Sequence, residues 1–188
     1  MVRTFAVAAS AAALLLLSPG AADAKDLSGR VGIGYVNNLP ATGGAISARY
    51  WLNDAIGIQG DLGISFVDPD QGDSENNFGI GLGGQYAFVH EPNLHVYGAA
   101  GLSFGSVAVT GVGPGGAPAS DSETAIGVTL GMGTEWFFVG TPNLGFTTQF
   151  GLTFVSISDV ANTITLSGGE FAQFGIRYYF GGPKGPGQ

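Results

Sequence analysis

Large apolar residues recur at every second position through much of this 188-residue chain, and this alternation limits the folds open to it. In the run 56–66 the even-numbered positions are mostly Ile, Leu and Phe, whereas the odd-numbered ones are Gly, Gln, Asp, Gly and Ser. A period of two places successive side chains on opposite faces of a β-strand, whereas a helix repeats at 3.6. The pattern therefore predicts an all-β protein with one strongly apolar face.

The same alternation defines eight segments separated by polar or Gly-rich gaps. They are 31–36, 46–52, 56–66, 78–88, 94–104, 126–136, 144–154 and 174–180. Several have the nine to eleven residues that a tilted strand needs to cross a bilayer. We therefore expect about eight antiparallel strands.

Charged residues make up only 11% of the chain, against roughly 25% in an ordinary soluble domain. The mean hydropathy is +0.29, yet no stretch after the N-terminus approaches the ~18 apolar residues of a spanning helix. Lipid accepts only helices and closed sheets, because every backbone polar group must be paired internally. Together with the alternation, this predicts a membrane-spanning, antiparallel, up-and-down β-barrel.

The connections between the predicted strands alternate in length. Three are short turns (53–54, 91–93 and 140–143), and four are longer and polar or Gly-rich (37–44, 68–76, 110–122 and 158–169). Short turns on one rim and long loops on the other are typical of outer-membrane barrels, whose short turns are periplasmic. We therefore expect the protein in the cell outer membrane. Both termini of the chain should then lie on the periplasmic side.

The first residues have the pattern of a cleaved signal peptide. Arg3 precedes an apolar run at 5–17, and Ala22-Asp23-Ala24 is an A-x-A cleavage site. The predicted division is a signal peptide at 1–24, the barrel at 25–180 and a short Gly/Pro-rich periplasmic tail at 181–188. An uncleaved N-terminal anchor is the alternative, and the lack of Cys excludes a lipoprotein anchor and disulfides.

The closing segment 173–180 carries a more specific pattern. Its Gln173, Gly175, Tyr178 and Phe180 resemble the C-terminal assembly signal of bacterial outer-membrane barrels. The resemblance implies recognition by the barrel-assembly machinery through strand pairing. That signal usually ends the chain, whereas here eight residues follow Phe180.

Over its mature length the chain is similar to the small eight-stranded group that includes the OmpA transmembrane domain, OmpX and the opacity-type proteins, with the OmpW-like branch as second choice. The resemblance implies an integral outer-membrane protein with a structural or surface-interaction role. Two alternatives stay open. One is a narrow channel or a carrier of small hydrophobic ligands, and the other is a barrel subunit of a larger envelope adhesion or motility complex.

Catalysis is not expected. Barrel enzymes that act on lipid A resemble hydrolases in needing a His beside a Ser in the outer half of the barrel. The two histidines, His90 and His95, flank the predicted periplasmic turn at 91–93, with His90 on the lipid-facing parity and His95 on the lumenal one. The glycines of 79–84 are not followed by a helix, so they indicate space inside a narrow barrel rather than a nucleotide site. No cofactor is predicted.

Acidic residues collect in or beside the predicted outer loops, which contain no Lys or Arg. They are Asp68, Asp70, Asp73, Glu75, Asp121, Glu123, Asp159 and Glu170. This charge disfavours nucleic acid and direct binding of lipid phosphates, so contact with anionic surface glycolipid would need divalent ions. The expected partners are outer-membrane lipid and this glycolipid. The first four acidic residues are predicted to form a solvated loop, with a calcium site as the alternative.

Parity places four charged residues inside the barrel: Arg49, Asp61, Glu135 and Arg177. An eight-stranded interior is wide enough only for side chains or one small ligand, and a buried charge needs a partner. The sequence therefore predicts an Arg–carboxylate network that closes the lumen, with Trp51 helping to close its lower mouth.

Overall fold

The computed structural model describes residues 25–37, 39, 41–67, 75–112, 118–158, 161–166 and 173–181. Its elements are β1 (Arg30–Asn37), β2 (Gly44–Trp51), β3 (Ile56–Val67), β4 (Glu75–Glu91), β5 (Leu94–Val112), β6 (Pro118–Phe138), β7 (Thr141–Ile157), β8 (Ala161–Leu166) and β9 (Gln173–Gly181). No helix long and apolar enough to cross a membrane occurs in these ranges. Three predicted segments lie wholly or mostly outside these ranges: the signal peptide at 1–24, the acidic loop at 68–76 as far as residue 74, and the tail after residue 181.

The strands form one closed antiparallel barrel with eight strand positions, which confirms the predicted fold class. Each strand from β1 to β7 pairs with the next, and β9 pairs with both β7 and β1 to close the ring. The eighth position is shared, because β8 pairs with the upper part of β7 and β9 with the lower part. We call the rim with the short turns the lower rim, and the opposite one the upper rim.

Strand β8 corrects the sequence interpretation, which assigned 158–169 to a loop. Residues 161–166 pair with β7 instead, from Ile157↔Ala161 to Leu152↔Leu166. From Leu166 to Gln173 the chain advances seven positions while β7 advances three, so the eighth strand is interrupted rather than continuous. The alternation of Ile164 and Leu166 with threonines was the signal for this strand.

The strands differ greatly in length. Strands β1 and β2 have 8 residues each, whereas β5 and β6 have 19 and 21. The predicted loop 110–122 is consequently shorter than expected, because β5 continues to Val112 and β6 begins at Pro118. Each strand of the β5–β6 hairpin therefore has about twice the nine to eleven residues that a spanning strand needs.

The two faces of the barrel wall have opposite composition. From β2 onward, large apolar side chains at even-numbered positions point outward and are exposed, Phe66 at 77% being an example. Aromatic rings gather near the lower rim on this outer face, where Phe138 packs against Trp136 and Phe146. Odd-numbered positions of these strands point into the lumen, whereas on β1 the even-numbered positions do, Val36 being 1% exposed. Such an outer face is stable only against lipid, because in water it would be a large exposed apolar patch.

A β-bulge at Phe88 changes the facing of the residues that follow it. The register shifts from Ala87↔Tyr97 to Val89↔Val96, so His90 comes to lie opposite His95. The two imidazole rings are 5.3 Å apart, and His95 is fully buried in the lumen. The expectation that His90 faces lipid was therefore wrong, because an extra residue in one strand reverses its parity.

Candidate functional site

The lower part of the lumen is filled by a layer of large side chains that we call the aromatic layer. It consists of Leu27, Trp51, Tyr97, Phe137 and Tyr179, none of them more than 1% exposed. These rings come from β2, β5, β6 and β9, and Leu27 precedes β1. Side chains from all sides of the barrel thus meet at one depth.

Glycines on the lumenal parity make this layer possible. A Cβ atom built at Gly133 would lie 2.7 Å from the Tyr97 ring, and one at Gly32 would lie 2.6 Å from the Tyr179 ring. Real Cβ contacts do not come this close, so any larger residue would displace a ring. The interpretation of lumenal glycines as spacers therefore applies most directly to the aromatic layer.

The segment before β1 folds into the lower mouth, which the sequence analysis did not foresee. Leu27 is completely buried, and the Gly29 amide donates a hydrogen bond to the Trp51 carbonyl at 2.8 Å. The Lys25 ammonium lies 3.7 Å from the centre of the Phe137 ring, a cation–π geometry. One apolar residue in a polar stretch carries no periodic signal, so Leu27 could not be singled out from the sequence.

Two titratable groups of this segment are shifted by their surroundings. Burial, with a further contribution from the charge of Arg30, lowers the pKa of Lys25 from 10.5 to about 8. Hydrogen bonds from Ser28 lower the pKa of Asp26. The surroundings therefore destabilise the charged form of Lys25, whereas they stabilise the charged form of Asp26.

Directly above the aromatic layer lies a set of buried polar side chains that we call the polar layer: Arg49, Gln59, Glu135 and Arg177. The Arg49 Nη1 is 3.0 Å from the Glu135 Oε2, and both side chains are at most 1% exposed. The other oxygen of Glu135 accepts a 2.8 Å hydrogen bond from the Tyr179 hydroxyl. The indole of Trp51 in turn donates to that hydroxyl at 3.4 Å. The two layers are thus connected.

Gln59 joins the remaining charges to this pair. Its Oε1 accepts hydrogen bonds from Arg49 at 2.6 Å and from Arg177 at 2.9 Å. Its Nε2 donates to both oxygens of Asp61 at 2.9 and 3.0 Å. Arg177 also donates to the Ser47 hydroxyl at 2.9 Å. One amide therefore bridges two guanidinium groups on one side and a carboxylate on the other.

The structure thus brings the four predicted lumenal charges into one network, but not as two ion pairs. Arg49 and Glu135 form the only direct ion pair among the described residues. Arg177 and Asp61 are instead linked through hydrogen bonds to Gln59. The sequence placed Gln59 in the lumen by parity. Its central position depends on the strand register, which parity does not specify.

The residues of the predicted assembly signal all lie on β9. Gln173 and Gly175 are on the lumenal parity and partly buried, while Tyr178 and Phe180 point outward and are about half exposed. Tyr178 and Phe180 lie opposite Ile33 and Val31 of β1, at the seam where the barrel closes. The rings of Tyr178 and Phe180 are 4.9 Å apart.

Above the polar layer the lumen opens into a cavity of about 300 Å³, which we call the upper cavity. Gln59, Asp61 and Gln85 form its floor. Its walls include Ser103, Thr129, Gln149, Thr153 and Gln173, and its apolar residues include Leu39, Val107, Val155 and Ile157. The cavity is therefore polar below and largely apolar towards the upper rim.

Neither histidine is among the residues that line this cavity. His95 makes ring contacts with Trp51 and Phe137, and His90 Nε2 lies 3.0 Å from the carbonyl oxygen of Asp54 at the lower rim. The described ranges contain no group of three or more His, Asp or Glu side chains that could hold a metal ion. The alternative calcium ligands Asp68, Asp70 and Asp73 lie outside those ranges, and the side chain of Glu75 is likewise not described.

Comparison with known proteins decides the family. Residues 5–180 match the family model of the outer membrane protein beta-barrel domain. The chain belongs to this family. Its location is therefore the outer membrane, and the apolar outer face is the lipid-facing surface. None of the curated proteins compared matches the sequence.

Solved structures of two small outer-membrane proteins are similar to this barrel. One is the N-terminal β-barrel domain of Pseudomonas aeruginosa OprF, with 17% identity and a TM-score of 0.47, covering 83% of this chain and 100% of that one. The other is Ail, the attachment invasion locus protein of Yersinia pestis, with 16% identity and a TM-score of 0.48, covering 81% and 99%.

Proposed function

We propose that this outer-membrane protein is a sealed barrel with a structural and surface-interaction role, and that it neither conducts solutes nor catalyses a reaction. One observation carries the proposal: the lower lumen is filled by two successive layers of fully buried side chains. Trp51, Tyr179 and Glu135 are each at most 1% exposed. A solute crossing the barrel would have to displace both layers.

The energetics of the polar layer favour a closed state. Removing one partner from a buried ion pair leaves an uncompensated charge and costs several kcal/mol. The Arg49–Glu135 pair is additionally held by Gln59 and Tyr179. Opening a path through this layer would break several of these contacts at once, so the closed arrangement is the stable one.

The surface-interaction part rests on the uneven upper rim. The β5–β6 hairpin is long enough to extend beyond the membrane, whereas β1 and β2, with 8 residues each, do not reach the nine residues of a spanning strand. Any macromolecular contact would therefore involve this hairpin first. Surface glycolipid is the proposed neighbour, with divalent ions between its phosphates and the acidic residues of the chain.

The absence of catalysis is part of the same proposal. A hydrolase site would need a His within reach of a nucleophile that faces the substrate. His95 is enclosed by rings, and His90 lies at the lower rim beside Asp54. We also propose that Gln173, Gly175, Tyr178 and Phe180 act as the assembly signal read by the barrel-assembly machinery.

Planar-bilayer recording of the refolded protein tests the sealed state. We expect the wild type to show no steady conductance above that of the bare bilayer, and the triple variant Trp51→Ala, Glu135→Ala, Tyr179→Ala to conduct because it removes side chains from both layers. Tyr50→Ala is the matched control, since Tyr50 neighbours Trp51 but faces lipid. Steady conductance in the wild type would contradict the proposal and favour the narrow-channel alternative.

A further inference from the structure

The upper cavity has the size and construction of a small-molecule site. Its volume of about 300 Å³ is at the lower end of the range for ligand pockets in proteins. The polar layer closes it from below. A molecule that enters from the upper rim would therefore be retained rather than passed through the barrel.

Asp61 is the one residue with a formal charge among the described residues that line this cavity. Both of its oxygens accept a hydrogen bond, but from the same Nε2 atom of Gln59. A carboxylate can accept about four hydrogen bonds, so capacity remains on the side that faces the cavity. No Lys or Arg of the described ranges forms an ion pair with Asp61. The floor therefore presents a negative charge suited to a cation.

A further polar group of the cavity lining has unused hydrogen-bonding capacity. The Oγ atom of Ser103 is buried without a partner among the described residues. The Oε1 atom of Gln85 is also unpaired, but it faces the aromatic layer, because a Cβ at Gly57 would lie 3.2 Å from this atom and 3.2 Å from the Trp51 ring. Buried polar atoms in proteins are nearly always paired, with protein, water or ligand. The Ser103 hydroxyl can accept a hydrogen bond, as the Asp61 carboxylate does, and it therefore matches a hydrogen-bond donor.

The upper wall of the cavity is apolar. Leu39 precedes β2 and is folded into the lumen, 5% exposed, where its Cδ1 lies 3.1 Å from the place that a Cβ of Gly81 would occupy. Val107, Val155 and Ile157 line the same cavity. An occupant that satisfies both parts must carry a cationic donor at one end and a short apolar chain at the other.

We propose that the upper cavity binds a small organic ammonium compound, with its ammonium group on Asp61 and its aliphatic part against Leu39, Val107, Val155 and Ile157. A primary amine supplies three donors and one positive charge, which matches the acceptors of the floor. Binding of this kind goes beyond the structural role, and it does not require that the barrel conducts.

The test uses three probes with the same tail and different heads: butylamine, butanol and butyrate. Each is titrated at pH 7 into the refolded protein in lipid nanodiscs, and the ¹³C-methyl NMR signals of Val155, Ile157 and Leu39 are followed. We expect saturable shifts with butylamine at least tenfold tighter than with either other probe. Asp61→Asn should weaken butylamine binding tenfold or more, whereas Asp54→Asn, at the lower rim, should leave it unchanged.

A second variant keeps the proposal testable if Asp61→Asn fails to fold. Gly101 lines the cavity, and a Cβ there would have only ordinary contacts, the nearest at 3.5 Å from the Leu82 carbonyl oxygen. Gly101→Val should therefore fold and abolish the shifts by filling space. Equal affinity for all three probes, no saturable shift, or shifts confined to outward-facing methyl groups such as those of Leu82 would each overturn the proposal.

Discussion

Arg49 and Glu135 form an ion pair across the full width of the barrel, with 3.0 Å between Nη1 and Oε2. Arg49 is on β2 and Glu135 on β6, and three strand positions separate β2 from β6 in either direction around the ring. The two side chains therefore connect opposite walls. Their contact holds the barrel at the diameter that two side chains can span.

This geometry predicts a strong penalty for breaking the pair. Glu135→Ala should lower the free energy of unfolding by roughly 3 kcal/mol or more, because it leaves Arg49 buried without its counter-ion. The double variant Arg49→Met, Glu135→Leu should lose less free energy of unfolding than the sum of the losses in Arg49→Met and in Glu135→Leu. Urea titration in lipid vesicles, followed by tryptophan fluorescence, measures both. Strictly additive losses would show that the pair is not coupled.

The spacing role of the lumenal glycines gives a second prediction. Gly133→Ala should destabilise the barrel by about 1–3 kcal/mol, because the added methyl group would overlap the Tyr97 ring. Gly98→Ala is the matched control on the neighbouring strand, since nothing lies within 4 Å of its Cβ position. The same urea titration compares them. Similar midpoints for the two variants would rule out the spacer role.

The N-terminal segment should respond to pH through Lys25. The pKa of this ammonium is about 8 in the folded protein against 10.5 ordinarily, so between these values the unfolded chain binds more protons. Stability must therefore rise with pH across this window. We expect the wild type to gain urea resistance from pH 7 to pH 10 relative to Lys25→Met. If the urea resistance of the two proteins changed equally with pH, Lys25 would not be the cause of the change.

The proposed assembly signal is testable in cells. Tyr178→Ala with Phe180→Ala should reduce outer-membrane levels and leave periplasmic precursor, because these rings lie on the strand proposed to be recognised. The comparison is Tyr86→Ala with Phe88→Ala, a pair of exposed aromatic residues near the lower rim of β4. Quantitative immunoblots of membrane fractions measure the levels. An equal loss in both double variants would indicate a general need for aromatic residues at the interface.

The period-two alternation predicted the architecture because burial and exposure alternate with the same period along each strand. The structure buries Arg49, Glu135 and Arg177 inside the barrel, on the face where this alternation puts them. Parity states which face a residue occupies but not which residues meet across the lumen, because strand register and the close of the ring decide that. The hydrogen bonds that connect Asp61 to the arginines through Gln59 therefore could not be predicted from the sequence.

Two other misses have different physical causes. His90 was placed on the wrong face because the bulge at Phe88 inserts one residue into the strand. The local sequence of Phe88, Val89 and His90 contains no signal that predicts this bulge. The burial of Leu27 was missed because a single apolar side chain has no period. In both cases tertiary contacts override a pattern that is correct elsewhere in the chain.

Arg177 lies on β9, the last of the described strands in chain order, and its partners Ser47, Gln59 and Thr147 lie on β2, β3 and β7. Until β9 pairs with β1, the ring has an open side through which water reaches the polar layer. While the ring is open, the charges of Arg49 and Glu135 stay hydrated, and the free-energy cost of removing that water falls on the step that closes the ring. A chain that lacked β9 would keep a hydrated interior, however well the strands β1 to β8 were paired.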